Sequence, residues 1–510
     1  MALVDNYCLL CQNKTTAMEF PEPKDKRART IRLFIGYFLI GVLIALATLV
    51  IVYSVQGYSY DSDKGIEQSG LVFIDAKPVS ADIYIDGQQK TKTDAKISLN
   101  EGRHQITLKH DKYRDWSKSF NLEGGSVLYF AYPELYPVNI TVGVTQSFAT
   151  PPVWLSQSLD RHWLVMQQMA SSPVLTIFDL QNPTNDPTLS AIPAEQLINQ
   201  NGQFGTITPV EWADDNIHLL LKQQLPNGTI TYLVYDRTNP DQTINISSKV
   251  SMADNPSVSL SNKKYDKYYV FDAASGELRT ADIKNGLNDT PILTGVVSFK
   301  SYADNLIVYT TYIGAKVNEA NVLVLSNKTD KYLLQSLPRD PNNQYLLDVA
   351  QYSNDWYYVA ASKSDKKVLI YRNPLSRAKA GNVKAIVPQM NLILNNPQYV
   401  SFSDNARFIG MQSGQQFVVY DGEQNTVFKY MSPLPIAPTQ AAKWMDGHRY
   451  SVVTDGKEQI FEFDGTNQQT LTTSLAGYTA YFDRDYRYVF TLIPQADGKV
   501  GFENGQLILN

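Results

Sequence analysis

Cysteine and histidine are both scarce in this chain, and each scarcity narrows what it can do. Of 510 residues, two are cysteine, Cys8 and Cys11, and five are histidine. No disulfide framework can form downstream of residue 11, so any fold there must bury enough apolar surface to stand without covalent staples. The chain has no Gly-x-Ser-x-Gly elbow, no His-Glu-x-x-His helix and no phosphate-binding loop. Charged residues make up 19% of the chain with a formal net charge of −5, and no basic stripe is concentrated anywhere. Nucleic acid is therefore not an expected partner. Amphipathic helical periodicity is nearly absent after about residue 60, while Tyr and apolar residues alternating with Thr, Ser and Asn favour strands.

One segment breaks that pattern. From Leu33 to Val55 the chain reads LFIGYFLIGVLIALATLVIVYSV, without a charge. At about 1.5 Å per residue a helix of this length spans a hydrocarbon core of about 30 Å. The run is longer than the roughly 7–15 residues of a signal-peptide core, and no small-residue cleavage pattern follows. An uncleaved signal anchor is expected. Lys24, Lys26, Arg27, Arg29 and Arg32 crowd the N-terminal flank, so the positive-inside rule places the N-terminus in the cytoplasm and the rest outside. A cysteine-free exported region of this size suggests a prokaryotic envelope. Cys8-Leu9-Leu10-Cys11 is half of a zinc ligand set, and a closed tetrahedral site would need a second chain to supply the other two ligands. Acylation near the membrane and incidental thiols are the other readings of this pair.

A phrase recurs about eight times from Trp154 onward: an aromatic or apolar residue, a small or polar step, an Asp/Asn turn, then an alternating apolar strand. Trp212-Ala213-Asp214-Asp215-Asn216, Phe402-Ser403-Asp404-Asn405 and Trp444-Met445-Asp446-Gly447 are the strongest copies. Weaker copies stand at Leu159-Asp160, Leu260-Ser261-Asn262, Tyr302-Ala303-Asp304-Asn305, Tyr352-Ser353-Asn354-Asp355 and Phe482-Asp483-Arg484-Asp485. A second phrase, a short apolar strand closed by a polar residue, follows each one, as in Thr176-Ile177-Phe178-Asp179 and Val418-Val419-Tyr420-Asp421. A period of roughly 40–50 residues built from strands is the signature of a β-propeller. The two phrases read as the inner strands of four-stranded blades, seven or eight in number. The periodic Asp residues repeat because the turn repeats.

Between anchor and repeats, Ile83-Tyr84-Ile85-Asp86-Gly87 and Arg103-His104-Gln105-Ile106-Thr107-Leu108 alternate with period two between Asp-Gly and Glu-Gly turns, which describes a small β-sandwich. With Pro78, Ala81, Thr93, the Gly102-Arg103-His104 step and Tyr113, this stretch resembles a PEGA domain. That resemblance implies a surface or extracellular setting and carries no catalytic residue. The repeats resemble the TolB-like and WD-type families, with Trp444-Met445-Asp446-Gly447 the nearest match. The expected organisation is a cytoplasmic tail over 1–31, an anchor over 32–56, a linker over 57–69 and a PEGA-like sandwich over 70–122. A connector or closing strand over 123–149 and a propeller over 150–510 complete it. The fold class is an all-β ectodomain behind a single transmembrane helix.

No catalytic constellation is visible. His162, His218 and His448 hold corresponding early-strand positions of three repeats, which points to packing or turn roles, and His104 and His110 fall in the small domain. Asp254-Asn255 and Asp340-Pro341-Asn342-Asn343 could offer oxygen ligands to calcium but read more simply as turns. Tyr265, Tyr268, Tyr269, Tyr309, Tyr312, Trp356, Tyr357 and Tyr358 should pack between blades, with those that turn outward free to stack on sugar or peptide. The expectation is a single-pass cell-surface protein, without cofactor and not an enzyme, whose propeller binds cell-wall glycan, another envelope protein or a host surface. An exported propeller hydrolase or lyase and an envelope sensor signalling through Cys8 and Cys11 are the alternatives.

Overall fold

The computed structural model describes residues 26–509 apart from 56, 62–64, 171, 251, 253–255, 303–305 and 380–385. Cys8, Cys11 and the Asp254-Asn255 pair lie outside the described residues. The first element is a helix, Lys26–Val55. Its stretch Arg29–Val55 has a mean hydropathy of 2.7 and no burial against the rest of the chain. That length and composition suit a membrane span or a signal sequence, because a helix apolar on every face has no use for water.

The chain divides into two compact units. One comprises residues up to Ile74, Asp94–His104 and Ser119–Ala131. Within it Gly65–Ile74 is the central strand, paired antiparallel to Tyr58–Asp61 and Ala95–Asn100 and parallel to Val127–Phe130. Phe73 stacks on Tyr129 across the parallel pair at 4.8 Å between centroids. Gly70 is needed there, since a Cβ would meet the Leu122 side chain at 2.8 Å.

The second unit comprises Asp75–Thr93, Gln105–Lys118 and Tyr132–Asn510. Its first hairpin, Asp82–Ile85 with Gln88–Lys92, turns at Asp86 and Gly87, both at positive φ. Among the described residues, eight four-stranded antiparallel sheets follow over Val142–Gln506. Seven are built from strands in simple succession. The eighth takes Tyr481–Phe482, Tyr488–Pro494 and Val500–Gln506 from the C-terminus and Val142–Phe148 from ahead of the first blade, Val500 pairing with Phe148 and Gly505 with Val142. The blade number is eight.

Alternation explains how the blades stack. On His218–Gln224, Leu219 and Leu221 join a cluster with Val165, Leu175 and Ile177 of blade 1, while Leu220 joins Val258, Leu260 and Tyr268 of blade 3. Side chains alternate across a strand, so a strand apolar on both faces glues two neighbours at once. Such clusters form at all eight interfaces, and one of them unites Phe490, Leu492 and Phe502 of blade 8 with Leu164, Met166 and Phe178 of blade 1. The ring is closed.

The apolar strands seen in the repeat are the second and third of each blade rather than the inner ones. Blade 2 shows the order: Thr206–Trp212 innermost, then His218–Gln224 and the almost fully buried Ile230–Asp236. The innermost strands Trp154–Gln157 and Tyr399–Phe402 are largely half-buried because one face looks into the axial channel. An innermost strand therefore carries polar residues that a search for apolar runs passes over.

Candidate functional site

The recurring turns do what their chemistry demands. Asp215 accepts hydrogen bonds from the amides of Ile217 and His218 at 2.9 and 3.0 Å, and Asp446 from those of His448 and Arg449 at 2.6 and 2.8 Å. Arg161, Asn216, Ser353, Ala406 and Tyr486 take left-handed backbone at the turn tips. The three repeated histidines sit at the starts of second strands. His162 meets Asp179 at 3.1 Å, and His218 lies between Asp215 at 2.6 Å and Asp236 at 3.6 Å. In each case the distant aspartate closes the third strand, so the repeat sets a nitrogen-bearing side chain against a carboxylate across its middle strands. Blade 6 makes the same pair from Arg407 and Asp421. His448 instead lies flat against Tyr132 at 4.7 Å, and burial lowers its pKa to about 4.

Other expected candidates find structural duties. The Asp340 carboxylate accepts from the amides of Asn342, Gln344 and Ser364 and the hydroxyl of Ser362. Tyr268, Tyr269, Tyr309, Tyr357 and Tyr358 are buried. Tyr265 stacks on His218 at 3.9 Å and Tyr312 lies beneath the Arg339 guanidinium at 4.0 Å. Trp356 meets Tyr302 edge-on at 5.5 Å. Among the described residues no three His, Cys, Asp or Glu side chains gather in metal-ligating geometry.

Among the described residues, two cavities lie along the channel. The larger, of about 780 Å³, is lined by the innermost strands and turns of blades 2 to 6 and includes Glu211, Lys263, Lys300, Asp348 and Asp404. The smaller, of about 310 Å³, is lined by blades 1, 7 and 8. Arg161 of blade 1 reaches across to Asp404 of blade 6, and this ion pair lies between the two cavities. In the larger cavity each carboxylate faces a cation: Glu211 with Lys263, Asp214 with Lys264, Asp348 with Lys300 at 3.8 Å, Asp404 with Arg161. Burial pushes the Asp348 carboxyl up against the opposing pull of Lys300, and burial likewise raises Asp404 against that of Arg161. Phe299, Tyr302 and Phe402 supply apolar surface beside these charges.

Asp214, Tyr302, Phe402 and Asp404 stood in the repeat phrases only as turn and packing residues, and Arg161, Glu211, Lys263, Phe299, Lys300 and Asp348 were not singled out from the sequence, although a signal existed. Glu211, Ser259, Ser301, Ser401, Lys443 and Tyr481 each immediately precede the opening residue of a repeat phrase, and each lines one of the cavities. In an alternating strand the neighbour of a residue packed between blades points the other way, here into the channel.

Blade 7 has a second polar centre, away from the axis. Lys118 pairs with Glu462 at 2.9 Å and Asp464 at 2.6 Å beneath the Phe463 ring. Burial alone would depress its pKa, but Glu462, Tyr132 and Asp464 outweigh that and raise it. Arg449, also buried, holds Glu134 and Asp446 at 2.6 Å each and donates to the Tyr132 carbonyl at 3.2 Å. These contacts join Trp116–Lys118 and the Tyr132–Tyr136 connector to the blade.

Residues 69–133 match the PEGA domain. No curated protein matches the chain. Among solved structures it is similar to an uncharacterized protein from Listeria monocytogenes EGD-e, with a TM-score of 0.37 and 12% identity over 67% of this chain and 93% of that one. AztD of Citrobacter koseri is similar at a TM-score of 0.35 and 9% identity, over 74% and 93%. An oligogalacturonate lyase from Vibrio parahaemolyticus gives 0.35 and 9%, over 72% and 97%. The chain carries a PEGA domain between an N-terminal apolar helix and a β-propeller of eight four-stranded blades.

Proposed function

We propose that this is a membrane-tethered binding protein, non-catalytic, whose propeller offers the larger axial cavity to a polar ligand of the envelope or exterior: cell-wall glycan, an envelope protein or a host surface. The observation that carries the reading is the charge arrangement of that cavity. Glu211, Asp348 and Asp404 each stand beside their own cation, with aromatic edges at Phe299, Tyr302 and Phe402. Paired charges with apolar surface between them suit recognition of a neutral, hydroxyl-rich or peptide-like surface, where polar groups fix orientation and rings supply contact. The flank Lys26–Arg32 would hold the N-terminus in the cytoplasm, with both compact regions outside. Tethering would raise the effective concentration towards partners on the same surface.

The test is binding of the full chain to isolated cell wall, envelope extract and a glycan array, repeated with Tyr302→Ala and Asp348→Asn. Saturable binding weakened at least tenfold by both substitutions is the expected result, and binding untouched by either would refute the cavity as its seat. A propeller hydrolase or lyase is the second reading, favoured by one observation: two carboxyls with raised pKa values, Asp348 and Asp404, share one cavity, as general acid–base chemistry requires. Turnover of a bound glycan, abolished by Asp348→Asn and Asp404→Asn, would replace the first reading with the second.

A further inference from the structure

The smaller axial cavity differs in charge from the larger one. The charged side chains in its lining are Arg161 and Lys443, both cationic, in a chain whose net charge is −5. Arg161 already holds Asp404. Among the described residues, no carboxylate lies within ion-pair distance of Lys443 Nζ, whose hydrogen bond goes to Thr479 Oγ1 at 3.5 Å. Behind the wall, Glu458 is fully buried, with one oxygen accepting from the Ser451 hydroxyl and the Ala480 amide also acting on the carboxyl. Burial raises that carboxyl to about 7, so at neutral pH it supplies a reduced counter-charge to Lys443. Lys443 in turn is lowered by burial, with Glu458 opposing. The Lys443 side chain is open to solvent on the cavity side, and with no carboxylate within ion-pair distance its ammonium is available to a bound anion.

The remainder of the wall restricts what that anion can be. Trp444 and Tyr481 line the cavity, along with Ser451 and Thr479. A volume of about 310 Å³ is at the low end of the roughly 300–1,000 Å³ found for ligand pockets. We infer that the cavity between blades 1, 7 and 8 binds a small carboxylate-bearing organic anion of about a monosaccharide's size, its carboxylate on Lys443 and its body against Trp444 and Tyr481. This site is separate from the larger cavity, and its test stands apart from that of the proposed function.

The test is isothermal titration of the detergent-solubilised full chain with D-glucuronate, with D-glucose as the neutral counterpart and inorganic phosphate as a bare anion. The expected result is saturable glucuronate binding at least tenfold tighter than that of glucose or phosphate. Lys443→Gln should weaken it at least tenfold, Lys443→Arg should retain most of it, and Lys300→Gln in the larger cavity should leave it unchanged. Thermal melts of each variant separate loss of the site from loss of the fold, and the Lys443→Arg result decides if Lys443→Gln fails to fold. Absence of saturable glucuronate binding, equal binding of glucose, phosphate binding as tight as glucuronate, or binding unaffected at position 443 would overturn the assignment.

Discussion

Tyr450 is buried, and among the described residues its hydroxyl has no hydrogen-bond partner. It points at Gly410 of the neighbouring blade, where an added Cβ would come within 1.8 Å of the oxygen. An unsatisfied buried hydroxyl costs about 1–3 kcal/mol, so Tyr450→Phe should leave stability unchanged or raise it by about 1 kcal/mol. Gly410→Ala should cost about 1–3 kcal/mol by overpacking. Combining the two should recover much of that loss, and denaturant titration of the three variants would show whether the hydroxyl is the obstacle. Glu458 supports a prediction in pH. Its folded pKa of about 7 stands above the ordinary 4.5, so ionisation favours the unfolded chain and stability falls as pH rises between those values. Ser451 and Lys443 are the polar side chains facing it. Glu458→Gln should therefore stabilise the protein by about 2–3 kcal/mol at pH 8 and by much less at pH 5. An equal effect at both would show that the carboxyl does not titrate in that window. Turn residues such as Asp215 and Asp446 could be read from the sequence because their hydrogen bonds are local. The environment of Glu458 could not, because Lys443, Ser451 and the Ala480 amide are brought to it only by the folding of blade 7 and of the chain leading into blade 8.

Within single elements, the strand Val142–Phe148 closes the eighth blade from the N-terminal side. A proline at its centre removes a ladder donor and forces the backbone, costing about 3 kcal/mol or more. Gln146→Pro should lower the thermal midpoint of the whole propeller rather than loosen one blade, and calorimetry showing an unaltered midpoint would refute closure by this strand. The connector Tyr132–Tyr136 depends on Arg449. Removing one member of a buried charge network typically costs about 3–5 kcal/mol, because the partners are left uncompensated. Arg449→Met should destabilise by that order, through Glu134 and Asp446, whereas Lys499→Met, whose partner Asp497 is exposed, should cost less. Strand identity was legible from alternation alone. Strand position was not: the most apolar strands proved to be the middle pair, since burial is deepest where blades face each other on both sides.

For the molecule as a whole, eight interfaces share the burial, and each blade stands on two neighbours. Loss of the closing strand should therefore spread. A fragment of residues 150–510, which lacks Val142–Phe148, should melt well below one of residues 132–510, and equal melting of the two would mean the ring does not depend on its closure. The period of the repeat made a propeller legible at this scale. The axial cavities were not legible, because residues such as Arg161 and Asp404 lie 243 residues apart in sequence and meet across the axis.

By itself the sequence determined what depends on neighbours along the chain: the apolar run Leu33–Val55, the period-two strands, the Asp turns and the PEGA-like hairpins. These follow from side-chain chemistry at fixed spacing. Only the tertiary structure decided the blade number, the two axial cavities with their unlike charge, and the hold of blade 7 on Trp116, Lys118 and Tyr132. Each of those arises where residues from distant blades converge, and the free energy of a buried charge depends on which partners surround it rather than on what stands beside it in the chain.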